Sequence, residues 1–594
     1  MPTPLHDRHP RPLLARADWQ ELDGQWQFAY DDSDTGIADG WPSRTDVFDR
    51  TITVPYPPES PASGIHDTGY HPVLWYRRTL TRALPRHGNR LMLRFGAVDY
   101  RADVWVNGRH IARHEGGHTP FGADITDALS GDGEQTVVVR AWDDPHDLEQ
   151  PRGKQDWQHS PHVIWYERTT GIWQPVWLEE LPADHVDRLR WTPTGTPGEV
   201  DLELRLARRS SGPVRVTVRL ELADRVLAED TCLVDGSLMR RRIAVQDSRY
   251  DAEPHHLQWS PEHPTLCRAT VTLEGDGDAP RDVVHSYVGF RTAGTDADNF
   301  LLNNLPYYLR MVLSQGYWPQ SHLAAPDTAA LRTEVETIKR LGFNGIRVHQ
   351  KVEDPRLLYW CDRLGLLVWA DAAASYSFSS TSLARTTREW IEIVDRDAGH
   401  PCVVAWVAFN ESWGVPDVDR SAAQQDAVRG LYHLLKSLDP TRPVLGNDGW
   451  EYVAGDLLGV HDYTHDPAAV RERYADREAV RRTAHSGRPG GRRLVVGDEV
   501  PAVPVVLSEF GGFTYAPGEP GTWDGYGTAG SAGELLERLA ALMRAVHESA
   551  GLAGYCFTQL TDTGQERNGL LTEDRRPKAD IDSVARIMRG RSAG

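Results

Sequence analysis

The chain has 594 residues and a mass of 66.5 kDa, more than one hydrophobic core ordinarily supports, so roughly two to four domains are expected. Its 65 Lys and Arg against 85 Asp and Glu leave a formal charge of −20, which disfavours a nucleic-acid backbone as partner. No apolar stretch approaches the roughly eighteen positions of a membrane-spanning helix, and the odd, widely spaced cysteines (Cys232, Cys267, Cys361, Cys402, Cys556) indicate neither a disulfide framework nor a zinc site. No cofactor is indicated. The opening residues Met1 to Pro10 lack the apolar core of a secretory signal, so a cytoplasmic location is expected.

From about Leu22 to Glu180 the pattern is that of short alternating strands. Ala102 to Val106 is turned by Asn107-Gly108 into Arg109-His110-Ile111, and Asn-Gly between such runs is a strong hairpin signal. Further runs at Leu91 to Phe95, Thr136 to Trp142 and Pro175 to Leu178 predict a β jelly roll. From about Asp184 to Arg291 a second β series, including Glu199 to Leu204 and Val214 to Leu220, predicts an immunoglobulin-like sandwich. These β domains offer edges on which a homo-oligomer could form. The loop Arg152-Gly153-Lys154-Gln155-Asp156-Trp157 is expected to reach a barrel mouth or a neighbouring subunit.

After about Gly294 apolar strands alternate with amphipathic helices. Strands are predicted at Leu309 to Leu313, Gly345 to Val348, Leu366 to Ala370, Val403 to Phe409, Pro443 to Gly446, Leu458 to Val460, Val505 to Leu507 and Ala553 to Thr558. The clearest helices are Thr328 to Leu341, Pro355 to Leu364, Ala422 to Leu438 and Ala532 to Ser549. This is the arithmetic of a (β/α)8 barrel. The fold expected is therefore a jelly roll (1–182), an immunoglobulin-like sandwich (183–293) and a TIM barrel (294–594).

Barrel chemistry sits at the C-terminal ends of the strands. Those ends carry Gln315 and Tyr317, Arg347 and His349, Asp371, Asn410 and Glu411, Asn447 and Asp448, His461 to Tyr463, Glu509, and Gln559 with Asp562. Glu411 closes the apolar run Ala405 to Phe409, and Glu509 closes a second run 98 residues later, on strands four and seven. Two carboxylates facing each other across a barrel mouth are the machinery of glycoside hydrolysis, and retention of configuration needs them about 5 to 5.5 Å apart. His349 and His461 are read either as substrate contacts or as satisfied core histidines, and Asp371, Asp448, Asp462 and Asp562 equally as ion-pair partners. Trp413 and Trp523, on loops after catalytic strands, are candidates for a sugar platform.

Several segments together resemble glycoside hydrolase family 2, which contains β-galactosidases, β-glucuronidases and β-mannosidases. They are Leu22 to Phe28, Val98 to Ala102, Thr170 to Glu179, Gly342 to Arg347 and Cys361 to Trp369. The resemblance implies that Glu411, preceded by Asn410, is the acid/base and Glu509 the nucleophile. It also implies that Asn410 donates to the sugar 2-hydroxyl and that Tyr463 orients the nucleophile, with Arg347 doing the same or binding substrate. The acid should then have a raised pKa and the nucleophile should stay ionised. Where glucuronidases carry Asn-x-Lys before a Gly-apolar-apolar-Thr segment, this chain has Glu566-Arg567-Asn568 before Gly569 to Thr572. Glu566 would repel a sugar carboxylate. Asp371 in place of the family's commoner Glu, and His349 two residues after Arg347 rather than three, suggest an altered sugar pocket.

A retaining exo-β-glycosidase is therefore expected, with β-galactosidase the leading activity. The alternatives are a β-glucuronidase or galacturonidase, a furanosidase or arabinosidase, and a carbohydrate-binding protein without turnover.

Overall fold

The computed structural model describes residues 5–590 except 83, 87, 132, 197, 210–211, 246–256, 275–279 and 517–526. Alternating burial builds the first domain as two facing antiparallel sheets. A six-stranded sheet runs in the order Arg50–Val54, Gly24–Tyr30, Val73–Arg82, Gly133–Trp142, Arg101–Val106, Arg109–Glu115. It packs Trp26, Phe28, Val104 and Val139 against Leu93, Phe95 and Leu178 of a four-stranded partner. The predicted hairpin is present: Val106 pairs with Arg109, and Asn107 and Gly108 both take positive φ, as a two-residue turn matched to strand twist requires.

The second domain pairs a three-stranded with a four-stranded sheet, of which Val214–Leu222 buries every other residue. It is anchored to the third through Asp362, which accepts from Trp259 Nε1 on its carbonyl (2.7 Å) and from the Tyr287 hydroxyl on Oδ2 (2.8 Å).

The third domain has eight parallel strands: β1 (Leu309–Ser314), β2 (Gly345–Val348), β3 (Leu367–Asp371), β4 (Val403–Val407), β5 (Val444–Leu445), β6 (Leu458–His461), β7 (Val505–Gly511) and β8 (Gly554–Thr558). Their order is β5-β4-β3-β2-β1-β8-β7-β6, and among the described residues β5 and β6 form no ladder. The barrel is thus nearly closed, with its seam beside the shortest strand. Every residue of β2, β4, β6, β7 and β8 is buried, as expected for strands covered on both sides.

Two strand ends differ from expectation by more than one residue, both at the glutamates. β4 stops at Val407, so Asn410 and Glu411 stand in the turn beyond it, whereas β7 runs on through Glu509 to Gly511. The helices are α1 (Thr328–Arg340), α2 (Pro355–Leu364), α3 (Ser380–Asp397), α4 (Ala422–Leu438), α5 (Pro467–Tyr474), α6 (Arg477–Ser486), α7 (Ala532–Glu548) and α8 (Ile581–Arg589). α3 opens on Ser379-Ser380-Thr381-Ser382, a stretch with the composition of a loop. Ser379 and Ser382 instead cap each other's backbone and start the helix.

The jelly-roll loop does reach the barrel. The Arg152 and Gly153 amides both donate to the Ala374 carbonyl (3.0 Å), and the Tyr376 hydroxyl donates to the Gly153 carbonyl (2.5 Å). Gly153 has φ +61°, and the Gln350 carbonyl occupies the place of any side chain. Only glycine lets the two domains approach this closely.

Candidate active site

At the barrel mouth Arg347 from β2 is fully buried and organises four neighbours. Nη2 donates to Asp371 Oδ2 (2.9 Å) and Asn410 Oδ1 (2.7 Å), while Nη1 meets Asp448 Oδ2 (2.5 Å) and Glu509 Oε1 (3.1 Å). Arg347 is therefore committed to the protein's own acids rather than open to substrate. Burial pushes the Asp371 carboxyl up to about 6 against the pull of Arg347; for Asp448, Arg347 and His461 outweigh burial and hold it down at about 2.

Tyr463 Oη donates to the other oxygen of Glu509, Oε2, at 2.6 Å. Glu411 stands on strained backbone, with φ +52° followed by Ser412 at +60°. Such conformations cost roughly 1 to 3 kcal/mol each and persist where surrounding contacts impose them. Here the Glu411 amide donates to the Asp448 carbonyl (2.9 Å), the Ser412 amide to Asn447 Oδ1 (3.0 Å), and Ser412 Oγ to Glu451 Oε2 (2.6 Å).

His461 at the end of β6 joins the two glutamates. Nδ1 lies 2.8 Å from Glu411 Oε1, and Nε2 lies 3.0 Å from Asp448 Oδ2 and 3.4 Å from Glu509 Oε1. Carboxylate and imidazole ligand atoms of Glu411, His461 and Glu509 all fall within 4.8 Å of one another. A metal ion fits this trio poorly, because both ring nitrogens already face acceptor oxygens and act as N–H donors.

The ionisation directions run opposite to those expected of the two roles. Burial favours a neutral Glu411, yet the hydrogen bond and charge of His461, with Lys154 and Arg347, hold it below the usual carboxylate range. Glu509 is raised by burial and by the charge of Glu411. His461 resists burial and rises to about 10, chiefly through the charges of Glu509 and Asp448. The carboxylates around His461 thus favour its charged ring, and His461 in turn favours the Glu411 carboxylate.

The remaining predicted residues divide between pocket wall and support. His349 is buried and kept neutral by burial and by Arg347. Its Nδ1 pairs with Gln315 Oε1 (3.0 Å), while Nε2 lies 3.6 Å from Glu509 Oε1. Gln559 is a support: it accepts from Gln315 Nε2 (2.8 Å) and donates to Asn568 Oδ1 (2.6 Å). Asn568 is buried, and its side chain also hydrogen-bonds Glu566. Glu566 is buried, raised by its burial, and accepts from the hydroxyl of Tyr166. Trp413, partly exposed, packs edge-on against Trp165 (5.5 Å) and near Tyr376 (5.2 Å). Trp523 lies outside the described residues.

Sequence reasoning left three contributors without a role. Lys154, nine-tenths buried, stands 5.6 Å from the Tyr166 ring and acts electrostatically on Glu411, His349 and Glu566. Tyr166 and Trp165 also come from the jelly roll, with Gln565 donating to the Trp165 carbonyl (2.8 Å). The signal available was the glycine of Arg152-Gly153-Lys154 in a loop expected to reach the barrel.

The chain has counterparts among known proteins. The chain is 28% identical to the β-glucuronidase of Canis lupus familiaris, over 75% of this chain and 73% of that one. It is 25% identical to the β-galactosidase of Thermoanaerobacter pseudethanolicus, over 73% and 55% respectively. Across such relatives it spans from 44% to 73% of their lengths. In fold it superimposes on an uncultured Clostridium sp. β-glucuronidase with a TM-score of 0.76, at 20% identity and covering 97% and 99% of the two chains. Residues 19–182 match the sugar binding domain of glycosyl hydrolases family 2, residues 184–291 the family's middle domain, and residues 295–481 its TIM barrel domain. With three domain matches in order on a barrel that carries two mouth glutamates, the chain belongs to glycoside hydrolase family 2.

Proposed function

We propose that the protein is a retaining, exo-acting β-glycosidase, with a neutral β-galactoside as its leading substrate. The observation that carries the reading is the approach of Glu411 and Glu509 oxygens to within 4.8 Å. That spacing suits the roughly 5 to 5.5 Å of retaining sites and leaves too little room for the water that inverting enzymes hold between carboxyls about 6.5 to 9.5 Å apart. Glu509, gripped by Arg347 and Tyr463, attacks the anomeric carbon, and Glu411 protonates the departing oxygen. Water, deprotonated by Glu411, then releases the sugar from Glu509.

The pocket wall suits an uncharged sugar. His349, with Nδ1 turned to Gln315, presents Nε2 as a ring acceptor beside Glu509, a group that a sugar hydroxyl satisfies. The Glu566 carboxylate accepts hydroxyls and disfavours a second carboxylate. A uronide is the second reading. It is favoured by the buried Lys154 ammonium near Glu566 and by burial driving Glu566 toward its neutral form.

A panel of nitrophenyl glycosides of galactose, glucose, mannose, arabinose, galactofuranose and the uronic acids tests the proposal. The β-galactoside should give the highest kcat/KM, and Glu509→Gln should abolish its turnover. A uronide turned over best would overturn the neutral-sugar reading, and unchanged turnover by Glu509→Gln would overturn the nucleophile assignment. Binding without turnover across the panel would leave a carbohydrate-binding protein.

A further inference from the structure

The pair formed by His461 and Glu411 raises a question of supply: a general acid needs a proton, and Glu411 is held by a neighbour that stabilises its anion. Each nitrogen of His461 faces carboxylate oxygens, Nδ1 toward Glu411 Oε1 at 2.8 Å and Nε2 toward Asp448 Oδ2 at 3.0 Å. Two donor positions on one buried ring mean two ring protons. We propose that His461 stores the proton of the general acid on Nδ1 and delivers it to Glu411 as Glu509 attacks the sugar. This rests on the retaining reading above.

The groups facing the imidazolium explain the timing. They are Glu411 beyond β4, Asp448 beyond β5, Glu509 on β7, and Arg347 and His349 at the end of β2; Arg347 Nη1 lies 3.5 Å from Nε2. Glu509 and Asp448 are the charges that most favour the imidazolium. When Glu509 becomes a neutral glycosyl ester, one of those two charges vanishes. The remaining Asp448 is shared with Arg347, so the ring loses its hold on the Nδ1 proton.

The step balances. The Nδ1–H bond breaks as the Glu411 Oε1–H bond forms, leaving a neutral ring that still donates from Nε2 to Asp448. Glu411 turns about its terminal bond, a soft torsion, and gives the proton to the leaving oxygen. In the second half-reaction Glu411 takes a proton from the attacking water. As Glu509 regains its charge, that proton returns to Nδ1. Arg347 and His349 gain or lose none. His461 thus acts through Glu411 as a positioning and proton-holding residue and does not touch the sugar.

The test compares two glycosides of whichever sugar the unsubstituted enzyme prefers, one with an alkyl leaving group that needs acid assistance and one with a dinitrophenyl leaving group that does not. For His461→Asn, kcat/KM on the alkyl glycoside should fall about 100-fold, the usual worth of general-acid assistance. Loss on the dinitrophenyl glycoside should be at least tenfold smaller. Asp448→Asn, which keeps the shape but removes the anion beneath Nε2, should move the alkaline limb of the alkyl-glycoside pH profile to lower pH. Equal losses on both glycosides in His461→Asn, or an alkaline limb unmoved in Asp448→Asn, would overturn the relay while leaving the retaining reading intact. An unsubstituted enzyme without turnover on any glycoside would sink both.

Discussion

The hydroxyl of Tyr463, at the mouth beyond β6, donates a 2.6 Å hydrogen bond to Glu509 Oε2, while Arg347 takes the opposite oxygen at 3.1 Å. The tyrosine therefore works against the burial and the Glu411 charge that push Glu509 up. Hydrogen bonds to a charged group contribute about 1.5 to 3 kcal/mol, or roughly 10- to 100-fold in rate if expressed at the barrier. Tyr463→Phe should lower kcat/KM by that factor. Because the nucleophile must be ionised, its further-raised pKa should also move the acid limb of the kcat/KM profile to higher pH. A lowered rate with an unmoved acid limb would show that Tyr463 acts elsewhere than on Glu509.

Trp413 bridges two domains at the mouth, its ring edge-on to Trp165 of the jelly roll and close to Tyr376 of the barrel. It follows Glu411, the proposed proton donor to the leaving group, by two residues. Trp413→Ala should raise KM for aryl glycosides roughly five- to tenfold, as expected from losing about 1 kcal/mol of ring contact. Methyl glycosides of the same sugar should be little affected in KM. Equal changes for both would place Trp413 against the sugar rather than the aglycone.

The architecture was legible because apolar periodicity is a backbone property: strands at every second residue in the sandwiches, then short apolar runs between amphipathic helices. Glu411 and Glu509 were legible for a related reason, since barrel chemistry gathers at strand ends. His461 was visible at such an end, but not its pairing, because nothing in a local pattern tells which of several mouth acids a ring nitrogen will meet. Lys154 and Tyr166 were harder still, since they stand some 400 residues before Glu566 in the chain and reach it only through the docking of one domain on another. α3 was hidden by a serine-rich start whose capping is a side-chain event.

Glu59, in the jelly roll, is buried with its carboxylate accepting from the Thr170 amide (3.3 Å), and burial pushes it from 4.5 up to about 7. For an acid whose folded pKa is raised, the unfolded chain loses its proton first. The stabilisation is therefore complete below about 4.5 and is lost as pH rises toward about 7. Glu59→Gln keeps a neutral side chain of the same shape and removes this dependence. Its thermal midpoint should improve relative to the unsubstituted protein between pH 5 and pH 8. A constant difference between the two proteins across that range would mean that Glu59 is already ionised at pH 5.

Gly459, within β6, sits under Asp448, and a β-carbon there would run into Asp448 Oδ1 and Ser508 Oγ, which are hydrogen-bonded to each other at 2.7 Å. Both neighbours are wholly buried, so neither can retreat into solvent. Since Asp448 holds Arg347 Nη1 and His461 Nε2 together, displacing it disturbs the partners of both glutamates. Gly459→Ala should cut kcat/KM by about 100-fold or more, the effect of misplacing a catalytic group by about 1 Å. It should also destabilise by roughly 1 to 3 kcal/mol through overpacking. The double variant Gly459→Ala with Asp448→Ala separates the two effects, because removing the carboxylate makes room for the methyl group. Its thermal midpoint should recover relative to Gly459→Ala while activity stays low, a non-additive result expected only of atoms in contact. Additive losses in stability would mean that the strand shifts to accommodate the methyl group and that Asp448 keeps its place.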